Sequence, residues 1–199
     1  MSCFSKVTDK EMLNLRNKIF LNYGLPALNK KGFVKSPFST DWFGRNNLKD
    51  FNYYFCRVNE HSQLERVEVY IARGEKWVKI FLNIFELQPR VHSIEQLDGL
   101  DSLRFVLIPN SVTQMQFGID DTKGLYLFHI MFGEKLKIGS YYSKNGLDRR
   151  AEELGKLIEK DLLNIDYFIK RWHEMHKPLV TDWNGHAITT QSNSDSDNY

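Results

Sequence analysis

In three runs between Phe51 and Leu87 apolar side chains recur at every second position, and this alternation constrains the fold more than any other feature of the chain. Successive residues of a strand point to opposite faces of a sheet, so a period of two marks one buried face and one wetter face. Three strands are predicted, over 51–58, 64–73 and 76–87, with Val67, Val69 and Ile71 on the same face as Val78, Ile80, Leu82 and Ile84. Gly74-Glu75 has glycine first, as a two-residue type II′ hairpin requires. Pro89 and the box Ser93-Ile94-Glu95-Gln96 predict a break and one short helical turn. A second run of strands is expected over 103–108, 111–118, 124–132 and 135–142, with its last hairpin turning on Gly133-Glu134-Lys135.

Helical signals bracket these strands. Thr8-Asp9-Lys10-Glu11 reads as a capping box, and Met12, Leu15, Ile19 and Tyr23 follow it on one stripe. Gly24 suits a left-handed C-terminal position, and Pro26 is expected to end the helix. At the other end, Ala151, Leu154, Ile158, Leu162, Ile165, Ile169 and Trp172 predict one helix from Leu147 or Asp148 to Lys177, stopped by Pro178. At 1.5 Å per residue such a helix would be about 45 Å long, more than one small sheet covers. It must kink, project or be covered on a second side. Leu163, Tyr167 and Phe168 lie outside the main stripe and widen its apolar surface.

The expected fold is therefore α+β: a six- to seven-stranded, mainly antiparallel sheet with an N-terminal helix and a long C-terminal helix. A chain of 199 residues suits one domain, placed at 1–186, and 187–199 has the polar composition of a disordered tail. The order of elements resembles the helix-grip arrangement of START-like proteins, a likeness of element order alone. It implies a small apolar ligand held between sheet and long helix.

Charge and cysteine usage narrow the function classes. A net charge of +2 does not by itself argue for nucleic acid or an anionic membrane. Residues 1–50 nevertheless carry nine Lys and Arg against four acids. Within 29–49, Lys30, Lys31, Lys35, Arg45 and Lys49 alternate with Phe33, Phe38, Trp42 and Phe43, a mixture of cations and stacking rings that a single-stranded nucleic acid could engage. The blander reading is a loop whose rings cap the sheet while its lysines stay wet. Cys3 and Cys56 are too poorly matched in position to pair, and two free thiols suit a reducing cytoplasm. Met1 to Lys6 lacks the apolar run of a signal peptide.

Catalytic signals are weak. His173 and His176 stand one helical turn apart but lack the spacing of a zinc hydrolase, and they serve as well to complement a helix C-terminus. The one Asp-x-Lys, at Asp121-Thr122-Lys123, falls in a predicted turn beside Asp120, and no Glu-x-Lys occurs. Nucleophile elbows and phosphate loops are missing, and Cys56 sits in an aromatic strand where it should be buried and inert. The pattern favours a non-enzymatic binding or adaptor protein, acting through protein–protein contact or self-association, with no metal or cofactor. Its contact residues are expected at Tyr167, Phe168 and Trp172. The alternatives are nucleic-acid binding through Lys30, Lys31, Lys35, Trp42 and Arg45, or the small apolar ligand of a helix-grip protein.

Overall fold

The computed structural model describes residues 5–118, 136–139 and 141–188. The predicted strand over 124–132, the Gly133 turn, the Asp120-Asp121-Lys123 group, Cys3 and most of the polar tail lie outside these residues.

Ser5–Lys6 (β1) precedes Asp9–Ile19 (α1). The Thr8 capping box forms as the sequence predicts: Glu11 N–H donates to Thr8 Oγ1, and the Glu11 carboxylate accepts from Thr8 N–H at 2.9 Å. Gly24 is where expectation and structure part. It has a right-handed φ of −76°, and the chain continues helically through a wider turn, Phe20–Gly24, into Leu25–Lys30 (α2), with Pro26 accommodated in the first turn. The glycine answers to crowding. A Cβ there would lie 2.4 Å from the Phe20 ring and 3.0 Å from Ile158. Pro26 stands in the first turn of α2, just after a wide turn in which Leu25 N–H donates five residues back to Phe20 O.

Seven strands then build one sheet. Val34–Lys35 (β2) and Phe43–Arg45 (β3) share the outer edge of Phe51–Val58 (β4), which pairs with Gln63–Ile71 (β5), which pairs with Lys79–Leu87 (β6). All these pairings are antiparallel. The far edge of β6 is divided between Met115–Gln116 (β7), antiparallel at Phe81 and Leu82, and Leu179–Thr181 (β9), parallel at Phe85 to Leu87. Tyr141–Tyr142 (β8) pairs separately with β1. The β5–β6 connection is longer than the expected two-residue hairpin: β5 ends at Ile71 and β6 begins at Lys79, although Gly74 does take a positive φ of 80°.

The predicted strand face is the core. Val67, Val69, Ile71, Val78, Ile80, Leu82 and Ile84 are all buried, under Met12, Leu13, Phe20 and Leu28 from the N-terminal helices. The closing helix is not continuous. Lys144–Leu163 (α3) breaks at Asn164 and resumes as Ile165–Met175 (α4), so the excess length is resolved by a kink. Ile158, Leu162, Ile165 and Trp172 are buried in this core. No helix among the described residues is long and apolar enough to cross a membrane.

The segment 103–108 is not a strand. Leu103–Val106 and Asn110–Thr113 are short 3-10 turns. A strand needs a free ladder to join, and the outer edge of β6 is already occupied by β7 and β9.

Candidate functional site

Residues at even positions of β4 and β5, with the odd positions of β6 between Lys79 and Leu87, face away from the helices. The segments around Phe38 and Phe105 fold over one end of that face and bury Cys56, Leu64, Phe85 and Leu87 in a second, smaller core. Burial pushes the Cys56 thiol up to about 11, so it is a neutral packing group and not a nucleophile.

At the margin of this core lies a cleft of about 260 Å³. Tyr54, Arg66 and Glu68 form its floor, and Phe85, Phe105 and Val106 supply apolar walls. Arg66 is buried, and its two terminal nitrogens reach the Asp41 carboxylate at 2.6 and 2.8 Å. Asp41 also accepts from Ser36 Oγ and Ser102 Oγ. The Arg66 guanidinium lies 4.5 Å from the Tyr54 ring centre. Burial disfavours its charge, but Asp41 more than offsets that cost and its pKa is raised. This pair is neutral in sum.

Glu68 is different. Its Oε1 accepts from Asn52 Nδ2 at 3.3 Å and from Tyr54 Oη at 3.1 Å, and its Oε2 accepts from Gln114 Nε2 at 3.2 Å. All three donors are neutral, and Glu68 makes no ion pair among the described residues. Burial raises its pKa above the usual carboxylate range, opposed by the charge of Arg66 and by the bonds from Tyr54 and Gln114. Burial, followed by the charge of Glu68, likewise pushes the Tyr54 phenol up. The cleft therefore holds one carboxylate without a cationic partner.

Beside the cleft, the chain from 103 to 112 turns aliphatic side chains outward. Leu103, Val106, Leu107, Ile108 and Val112 are exposed, Ile108 to 83% and Val112 to 70%. Their outward set is enforced from beneath. Phe105 is buried against Phe38 and Phe85, with ring centres 5.1 and 4.9 Å away. Asn110 is buried as well: its Nδ2 donates to Arg104 O at 2.9 Å and to Gly185 O at 2.6 Å, while its backbone carbonyl accepts from Asn83 Nδ2 at 2.6 Å. Gly185, at φ +79°, lets the backbone come so close that a Cβ would meet Phe105 N at 2.5 Å. The result is a braced aliphatic ridge, with Val106 belonging to both ridge and cleft.

No protein-family model, curated protein or solved structure matches the chain. Its function must be read from this geometry.

The residues expected from sequence fall elsewhere. Trp172 is fully buried and Phe168 stacks on Phe117 with ring centres 4.2 Å apart, whereas Tyr167 is 60% exposed. Phe117 covers Phe168, and Tyr167 stays open to solvent. Of the basic segment, Lys30 and Lys31 close α2, and Lys31 Nζ bonds Asp166 at 2.8 Å. Lys35 lies over the Phe43 ring, and Arg45 donates to Lys49 O. Trp42 is partly exposed beside β3, while Phe33 and Phe38 point inward as core residues. Lys35 and Arg45 belong to β2 and β3 on one edge of β4, whereas Lys30 and Lys31 close α2. His173 is exposed and His176 packs on the Trp172 ring, and no group of three or more His, Cys, Asp or Glu gathers among the described residues to hold a metal. The ridge had one visible signal, the consecutive apolar run Phe105 to Ile108 ending at Pro109, which reads as a strand until its missing partner is known.

Proposed function

We propose that this chain is a binding protein that acts through contact with another protein, and that the contact is made on the 103–112 ridge. The observation that carries the reading is the outward set of five aliphatic side chains within ten residues, on a backbone braced by buried Phe105 and Asn110. A contiguous exposed apolar patch rimmed by polar groups is the usual mark of an interface. The bracing also matters. An ordered patch loses little conformational freedom when covered, so more of its burial energy appears as affinity. Each aliphatic side chain removed from water contributes roughly 1.5–3 kcal/mol, or about tenfold or more in binding.

A displayed library of short peptides, panned on the protein, tests this. Peptides recovered on the wild type should bind at least about tenfold more weakly to Ile108→Asp and to Val112→Asp. Both positions are exposed, so each variant should keep the wild-type thermal stability within about 0.5 kcal/mol. Recovery of no specific peptide, or of peptides indifferent to both changes, would overturn the reading.

A further inference from the structure

We infer that the cleft beside the ridge receives one lysine or arginine side chain of the partner protein, its cationic head against Glu68 and its methylene stem against Phe85, Phe105 and Val106. The inference rests on the protein-contact reading and gives the partner its chemistry.

Size is the first argument. At about 260 Å³ the cleft is smaller than the roughly 300–1,000 Å³ of ordinary small-molecule pockets, and it suits a single long side chain. Continuity is the second. Val106 lines the cleft and also stands on the exposed ridge, so a chain lying along the ridge passes the cleft mouth.

Charge is the third argument, and it decides the sign. Arg66 is cancelled by the two-pronged bond to Asp41, which leaves Glu68 as the unbalanced group of the cleft floor. Asn52, Tyr54 and Gln114 orient the carboxylate without neutralising it. A carboxylate offers about four acceptor positions, and three are used here, so Oε2, with one donor, keeps room for another. An anionic or purely apolar group would leave that acceptor buried and unpaired. A long basic side chain satisfies it while laying its apolar stem on the rings, as such side chains do at partly buried sites.

The probes are n-butylguanidinium, which copies the end of an arginine, and n-butylurea, its neutral counterpart of similar shape. Backbone amide shifts of the full chain are followed during titration of each, in the wild type and in Glu68→Gln. The cation should shift the amides of Tyr54, Glu68 and Gln114 saturably and bind at least about tenfold more tightly than the urea, and Glu68→Gln should remove that preference. The peptides recovered on the ridge should be enriched in Lys or Arg and should weaken on Glu68→Gln. Equal affinity for the two probes, or no saturable shift with the cation, overturns the inference. Ridge-dependent peptides that ignore Glu68→Gln overturn it alone and leave the contact reading standing. Cation binding without any ridge-dependent peptide sinks the contact reading, and with it the partner assigned to the cleft.

Discussion

The indole N–H of Trp172 donates to the backbone carbonyl of Thr113 across 2.7 Å. This single bond ties the closing helix to the end of the segment that carries the ridge. Thr113 in turn donates its hydroxyl to Asn83 Oδ1 at 2.9 Å, so helix, turn and central strand are joined through one residue. Trp172→Phe keeps most of the packing but strands a carbonyl, which costs about 1–3 kcal/mol. Trp172→Ala adds a cavity and should cost about 3–5 kcal/mol. Urea unfolding of both variants checks the order, and a Trp172→Phe protein as stable as the wild type would show that the bond contributes nothing.

Tyr167 and Phe168 are neighbours in sequence with opposite surroundings. Phe168→Glu puts a charge against Phe117 in the core and should abolish cooperative folding or cost more than about 4 kcal/mol. Tyr167→Glu changes an exposed ring and should stay within about 1 kcal/mol. Thermal and urea melts of the two proteins side by side distinguish the positions.

The Asp41–Arg66 pair and the Asp166 pairs make a second contrast. Asp41→Asn leaves the Arg66 guanidinium buried without its counter-charge and should cost about 3–5 kcal/mol. Asp166 is 58% exposed where it meets Lys31 and Arg57, so Asp166→Asn should cost less than about 1 kcal/mol. A denaturation midpoint that moves equally in both would refute the distinction.

Glu68 should make stability depend on pH. Its folded-state pKa is raised above the ordinary value of 4.5, so the folded state holds the proton more tightly than the unfolded chain. Its contribution is fully present below the ordinary glutamate range and is lost as pH rises through the elevated value. Glu68→Gln removes that dependence. The variant should gain stability relative to the wild type on going from pH 4 towards pH 8, and a difference constant with pH would contradict the assignment. Whatever offset the amide introduces by rearranging the bonds with Asn52, Tyr54 and Gln114 remains at both ends of the range.

Some of this was legible in the residues. Thr8 and Glu11 form their reciprocal cap because both partners lie within one turn. The alternation from Val67 to Ile84 predicts the buried face because a strand's side-chain period is the same wherever the strand is placed. Cys56 reads as buried from its aromatic neighbours, and it is. Gly24 is legible only as a place where a side chain is unwelcome. The crowding by Phe20 and Ile158 that explains it involves residues far apart in the chain.

Sequence by itself determined the α+β class, the core face of the central strands, the first helix with its cap, and the need for the closing helix to bend or be covered. Those properties depend on periods and on neighbours within a few positions. Tertiary structure decided the rest. Whether 103–108 became a strand depended on a free edge of β6, and β9, from nearly a hundred residues later, occupies part of it. Whether Phe168 and Trp172 faced a partner depended on what Phe117 and Thr113 placed against them. Whether Glu68 was paired depended on Asp41 having already taken Arg66. Edges, coverings and counter-charges are supplied by distant parts of the chain, and no local pattern can record who arrives first.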